Sequence, residues 1–114
     1  MIRFKLCKFL IYYMNLLFVC NQNENRSKTA EQLFKGAFKT KSAGLYNNNP
    51  VSKKQLQWAD AIIVMEDHQR NEIAMRFPDV YLQKRILSLD IPDVYHLNQP
   101  ELIDILKYKF DKLL

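Results

Sequence analysis

The chain has 114 residues, a length that suits one small domain. Hydrophobic residues make up 48% and charged residues 25%, which allows a real core and excludes a disordered polyelectrolyte. The net charge is +5, but Arg3, Lys5 and Lys8 supply three of those charges before the chain proper begins. The rest is only mildly basic, which argues against a nucleic-acid face and suits an anionic, phosphorylated substrate.

Met1 to Lys8 is cationic, and Phe9 to Val19 is almost wholly apolar. The pattern has the first two regions of a secretory signal but no small-residue cleavage site after them. The apolar run is too short to span a membrane. The expectation is an N-terminal extension or misplaced start over 1–13, a single domain over 14–114, a cytoplasmic location and no stable membrane association. Cys7 and Cys20 are the only cysteines, too few for a disulfide framework or a metal set, so a reducing compartment fits.

Asn15 to Val19 reads as a continuous apolar strand of the buried type. Ala30, Leu33, Phe34, Ala37 and Phe38 then form an i, i+3, i+4, i+7, i+8 helical stripe. Thr40 to Ala43 reads as a short second strand closed by Gly44. Asn47-Asn48-Asn49-Pro50 is a loop, and Ser52 to Ala59 a short helix. Ala61 to Met65 is purely apolar and is expected as a central third strand. Asp67 is placed to cap a helix to about Phe77, with Arg70, Ile73, Ala74 and Phe77 on one side and Pro78 as its stop. Arg85 to Leu89 is the fourth strand, and Asp90 to Leu97 an exposed loop. Asn98-Gln99-Pro100-Glu101 is a helix-start signature, with Leu102, Ile103, Leu106, Phe110 and Leu113 as the buried face that follows.

Strands alternating with helices imply an α/β fold. The expectation is a three-layer sandwich around a four-stranded parallel sheet with right-handed crossovers. Such sheets bind ligands at the carboxyl ends of their strands. Cys20 ends the first strand and Asp93 follows the fourth, so both fall on one rim.

The run Cys20-Asn21-Gln22-Asn23-Glu24-Asn25-Arg26-Ser27 lies between the first strand and the first helix. A short loop at a helix N-terminus points several N–H groups at one spot and makes an anion site. The same field favours a thiolate over a thiol. Arg26 offers a planar fork of donors for two phosphate oxygens. Ser27 can donate its hydroxyl to the thiolate. The loop, from Asn21 through Asn25, lacks glycine. Asn tolerates the left-handed region better than other side chains, so one of Asn21, Asn23 or Asn25 can supply the turn. The plainer reading of these residues is a buried cysteine closing a strand and an ordinary helix start.

On these residues the chain resembles the low-molecular-weight protein tyrosine phosphatases. The resemblance rests on Leu17-Phe18-Val19-Cys20, Asn23, Arg26-Ser27, Ala30-Glu31, Ser42-Ala43-Gly44, Ala59-Asp60-Ala61-Ile62-Ile63-Val64-Met65, and Asp93 with Tyr95. Gln22, Asn25 and Val94 depart from the family's usual Gly, Cys and Pro. The resemblance implies a phosphomonoester hydrolase of the phosphotyrosine type, with Cys20 as nucleophile, Arg26 as phosphate clamp and Asp93 as general acid. It implies that Asn23 stabilises the loop and that Ser42 supports it. Tyr95 would line the substrate slot, and Asn21, Gln22, Asn23, Glu24, Asn25 and Ser27 would surround the phosphate. The expected partner is a phosphorylated protein or small phosphomonoester, with no cofactor and no nucleic acid.

Three alternatives stay open. Asp90 competes with Asp93 as the acid. A catalytically weak phosphate-binding relative competes with an active enzyme. A thiol-based arsenate reductase is the third, and it lacks a resolving cysteine after Cys20. His68 and His96 have no ligand spacing, so no metal is expected. Glu66 and Asp67 end the third strand on the same rim and could shape the entrance, and Trp58 reads as core.

Overall fold

The computed structural model describes residues 14–113. The expectation for the extension over 1–13, with Cys7, lies outside the described residues. Four strands, β1 (Asn15–Cys20), β2 (Lys39–Gly44), β3 (Ala61–Val64) and β4 (Arg85–Ser88), form one sheet in the order β2-β1-β3-β4. Every pairing is parallel. The helices are α1 (Arg26–Phe34), α2 (Lys53–Trp58), α3 (Asp67–Arg76), α4 (Pro78–Gln83) and α5 (Pro100–Leu113).

The central strands are apolar because both faces are covered. Side chains of β1 alternate between two cores. Leu16, Phe18 and Cys20 face a layer built from Ala30 of α1 and Leu102, Leu106 and Phe110 of α5. Leu17 and Val19 face a second layer, with Leu56 of α2, Ile73 of α3 and Val80 of α4. The result is the expected three-layer α/β sandwich. The rings of Phe18, Phe34 and Phe38 gather around Phe110, with the Phe34 and Phe110 centroids 4.2 Å apart.

Several element boundaries differ from the sequence reading. Helix α1 ends at Phe34, and the N–H groups of Ala37 and Phe38 both turn back to its carbonyl. Gly36 lies in that turn, where its low helix propensity disfavours another turn of helix. Phe38 nevertheless packs edge-on against Phe110, with ring centroids 5.5 Å apart, so the stripe marks the core correctly beyond the helix itself. Pro78 stops α3 and also starts α4, because a residue at the first helical position needs no N–H. Glu66, not Asp67, holds the N-cap position of α3 in extended backbone. Asn98 has φ 59° and precedes the cap of α5, where Gln99 supplies the first helical carbonyl to Ile103 N–H. Ile103 is only half-buried, while Leu102, Leu106 and Phe110 are buried. Trp58 is half-buried against the second core, with Lys41 Nζ 4.4 Å from its ring centroid.

Phe110 ties α5 to both α1 and β1. Phe110→Ala is expected to lower stability by about 3 kcal/mol or more, as large-to-small changes in well-packed cores do. Urea unfolding followed by circular dichroism measures the loss.

Candidate active site

Four chain crossings from strand to loop converge on one edge of the sheet. β1 ends at Cys20, which is buried at 3% exposure. The next residues wrap back to the start of α1 and form a loop around the thiol. Asn23 has φ 57°, so the left-handed position expected of one of the three asparagines falls there. Its N–H donates to Cys20 Sγ at 3.2 Å. Ser27 Oγ lies 2.9 Å from the same sulfur. Ser27 also donates to Asn23 Oδ1 at 2.7 Å. One hydroxyl proton cannot serve both acceptors. With a thiol, S–H donates to Ser27 and Ser27 to Asn23. With a thiolate, Ser27 turns to the sulfur, and a rotated Asn23 amide can donate to Ser27 in its place.

The loop carbonyls face outward. Asn21 O accepts from the N–H groups of Leu45 at 3.0 Å and Tyr46 at 2.9 Å. Gln22 O accepts from Asn47 Nδ2 at 3.2 Å. In a trans peptide the next N–H points the opposite way. The Gln22–Asn23 peptide demonstrates this, since its carbonyl goes out to Asn47 and its N–H goes in to the sulfur. By the same geometry Gln22 N–H points inward. The loop can lie this close to β2 because Gly44 has no side chain. A Cβ there would meet Asn47 Nδ2 at 2.8 Å, the Gln22 carbonyl carbon at 2.9 Å and Asn21 O at 3.0 Å.

Arg26 opens α1 with its side chain fully buried. Its Nη1 donates to Glu66 Oε1 at 2.6 Å and to Ile91 O at 2.7 Å. Nε and Nη2 are buried without hydrogen-bond partners. These two nitrogens form one straight edge of the guanidinium, the edge that grips two oxygens of an oxyanion. Asp93 Oδ1 stands 3.7 Å from Nε on an exposed loop. Burial pushes the Glu66 carboxyl up, but the hydrogen bond and charge of Arg26, with help from His68 3.5 Å away, outweigh it. The carboxyl therefore sits below the ordinary glutamate range.

The sequence-derived residues divide clearly. Cys20, Asn23, Arg26, Ser27 and Asp93 are brought together, and Asn21, Gln22, Glu24 and Asn25 complete the loop. Gln22 and Glu24 are exposed, while Asn21 and Asn25 are half-buried. The Ser42 hydroxyl donates to Glu31 on α1. Tyr95 is half-buried and packs against the first core. Asp90 is exposed with φ 55°, beside Ser88. Sequence reasoning placed Glu66 on the rim but missed it as the arginine's partner. It read Gly44 only as the close of the second strand, and it missed Gln69 and Tyr46, whose ring lies 5.2 Å from the Arg76 guanidinium carbon. The cleft lined by Phe34, Tyr108 and Phe110 includes none of these site residues. Among the described residues no group of His, Cys, Asp and Glu could hold a metal ion. No helix among them is long and apolar enough to cross a membrane.

No protein-family model matches the sequence, and no curated protein matches it significantly. Solved structures do match. A low-molecular-weight protein tyrosine phosphatase from T. tengcongensis is 18% identical with a TM-score of 0.70, over 89% of this chain and 99% of that one. A protein tyrosine phosphatase from Entamoeba histolytica is 24% identical with a TM-score of 0.67, over 88% and 94%. The YwlE arginine phosphatase from Geobacillus stearothermophilus is 20% identical with a TM-score of 0.62, over 88% and 85%. The fold is that of the low-molecular-weight protein tyrosine phosphatases.

The Glu66–Arg26 pair makes stability depend on pH. A carboxyl held low when folded contributes stability above its unfolded pKa, and that contribution is lost as pH falls through the folded value. Glu66→Gln should therefore be less stable than the parent at neutral pH. The gap should narrow on acidification below the ordinary glutamate range. Thermal melts of both proteins across pH 7 to 3 (about that range) check the convergence.

Proposed function

We propose that this chain is a phosphomonoester hydrolase of the phosphotyrosine type, working through a phosphocysteine intermediate. One observation carries the reading: a fully buried arginine leaves its Nε–Nη2 edge without hydrogen-bond partners at the loop that cradles a cysteine sulfur. Burying donors unpaired costs about 1–3 kcal/mol or more each for charged groups, so the arrangement fits a site completed by an oxyanion. The likeness of fold to tyrosine and arginine phosphatases agrees with it.

In the proposed reaction Cys20 Sγ attacks phosphorus in line, and the bond to the ester oxygen breaks. Arg26 and the inward N–H groups hold the three equatorial oxygens, whose charge they stabilise through the transition state. Asp93, protonated at this stage, gives its proton to the departing oxygen. A water then attacks the phosphocysteine while the Asp93 carboxylate takes its proton. The S–P bond breaks, inorganic phosphate leaves and the thiolate returns. Ser27 and Asn23 N–H stabilise the sulfur as a leaving group. Tyr95 and Tyr46 offer aromatic walls near the loop ends for a phenolic substrate. No cofactor enters the scheme. A phosphorylated protein or a small aryl phosphate in the cytoplasm is the matching substrate.

Hydrolysis of p-nitrophenyl phosphate tests the reading directly. Cys20→Ser should abolish turnover and retain phosphate binding, because a hydroxyl keeps the shape but is a poor nucleophile. Arg26→Lys should be nearly as damaging as Arg26→Ala, since an ammonium keeps the charge and loses the paired donors. Substantial turnover in Cys20→Ser would remove the sulfur from the mechanism.

Asp93→Asn separates the acid from a structural residue. Esters with poor leaving groups should slow by on the order of a hundredfold, the usual scale of general acid catalysis. Esters with good leaving groups should slow far less, because a stable phenolate departs without a proton. A series of aryl phosphates of graded leaving-group acidity measures the contrast, with Asp90→Asn run in parallel. Equal losses across the series would show that Asp93 only shapes the loop.

A further inference from the structure

Gln69 is the only wholly buried glutamine among the described residues, and every polar atom of its amide is used. Oε1 accepts from Met65 N–H at 2.8 Å and from Glu66 N–H at 2.9 Å. Nε2 donates to Asn21 Oδ1 at 2.8 Å. One side chain therefore joins the end of β3 to the first residue after the proposed nucleophile. Helix capping explains the bond from Glu66 N–H, next to Met65 just after β3, but not the bond from Nε2, which leaves α3 and crosses to another loop.

We propose that Gln69 is a positioning residue that sets both halves of the anion site at once. On the loop side, Asn21 is held at two points. Its carbonyl is fixed outward by Leu45 and Tyr46, and its side chain is fixed by Gln69. Together these bonds set the plane of the Asn21–Gln22 peptide, and with it the inward direction of Gln22 N–H. On the clamp side, the Glu66 backbone is fixed by Gln69 Oε1 while its carboxylate grips Arg26 Nη1 at 2.6 Å. The unpartnered edge of Arg26 and the inward N–H groups must address one oxyanion together. A shift of about 1 Å in either half costs on the order of a hundredfold in a site of this kind. A fully buried amide with three short bonds is a stiff link between them. The inference rests on the anion-site reading of Cys20 and Arg26, and not on turnover.

The test uses Cys20 alkylation, which needs no substrate. Its thiolate displaces iodide from iodoacetate, an anion, or from iodoacetamide, which is neutral. An anion site beside the sulfur makes the iodoacetate-to-iodoacetamide rate ratio high, and added inorganic phosphate lowers it. Gln69→Leu should reduce that ratio, and the affinity for phosphate, by about tenfold or more. Gln69→Glu should fall by less than about threefold, because its carboxylate still accepts both β3 N–H groups and a rotated Asn21 amide can donate to it. Combining Gln69→Glu with Asn21→Asp sets two acceptors against each other. The pair should then lose more than the product of the single losses, as residues in one contact do. Melting temperatures separate these effects from unfolding, and the Gln69→Glu pair decides the matter even where Gln69→Leu does not fold. Multiplicative losses in the double variant, or an unchanged ratio in a folded Gln69→Leu, would overturn the positioning role. A parent protein with the iodoacetate preference but no phosphatase turnover would sink the catalytic reading alone. A parent protein without that preference would overturn both.

Discussion

The structure depends on a cation buried with three of its five N–H donors free of hydrogen bonds. A charged group taken out of water is tolerated only when it is paired and hydrogen-bonded. Arg26 meets that condition at one nitrogen, through Glu66 and the Ile91 carbonyl, and fails it at the other two. The partners come from three separate places: Arg26 from the start of α1, Glu66 from the end of β3 and Ile91 from the segment after β4. Only a sheet in which β1, β3 and β4 are neighbours brings their carboxyl ends together. The backbone secures the same corner, since Ile91 N–H donates to Met65 O at 2.7 Å and Met65 N–H to Val19 O at 3.2 Å. Sheet topology and arginine placement are thus one constraint seen at two scales.

The loop around the sulfur solves a different problem. Backbone N–H groups can converge on an anion only if the carbonyls of the same peptides find partners elsewhere. Leu45, Tyr46 and Asn47 provide those partners from the segment after β2. Gly44 lets that segment approach, as a Cβ would collide with the loop backbone. Asn23 supplies the reversal of the chain at φ 57°. A loop without glycine therefore closes because one asparagine takes the strained backbone and a glycine on the adjacent strand makes room.

This division also explains what the sequence made legible. Apolar runs such as Leu16–Val19 and Ala61–Val64 are visible because strands buried on two faces tolerate no polar residue. Cys20 and Arg26, the proposed nucleophile and clamp, are visible because both lie in one short segment whose spacing is itself the geometry. Glu66 and Gln69 were not identifiable in those roles. Their partners are Arg26, 40 residues away, and Asn21, 48 residues away, and nothing local marks a carboxylate as an arginine's counter-ion. One signal was present: Glu66 and Gln69 are spaced like the ends of a capping box, which moves the helix start one residue before Asp67. Ser42, expected as a loop support, has its visible hydrogen bond elsewhere. Its hydroxyl donates to Glu31 on the helix above, a partner eleven residues back that nothing local marks. Helix α4 escaped notice because six residues with one buried position, Val80, show no period.

The charge balance of the site sharpens the role of the loop. Glu66 stays ionised beside Arg26, so the pair is close to neutral as a unit. The segment from Asn21 to Asn25 contains no lysine or arginine and carries one acidic residue, Glu24. An oxyanion at the proposed site would therefore find little net positive charge to offset it. What remains is dipolar: the inward N–H groups, the start of α1 and the free edge of the guanidinium. Dipoles fixed by a rigid frame stabilise a transition state without reorganising, whereas mobile dipoles must first be aligned. In the proposed site the outward carbonyl bonds, the asparagine turn and the buried amide of Gln69 would be that frame. Orientation, more than net charge, is what this fold brings to an oxyanion.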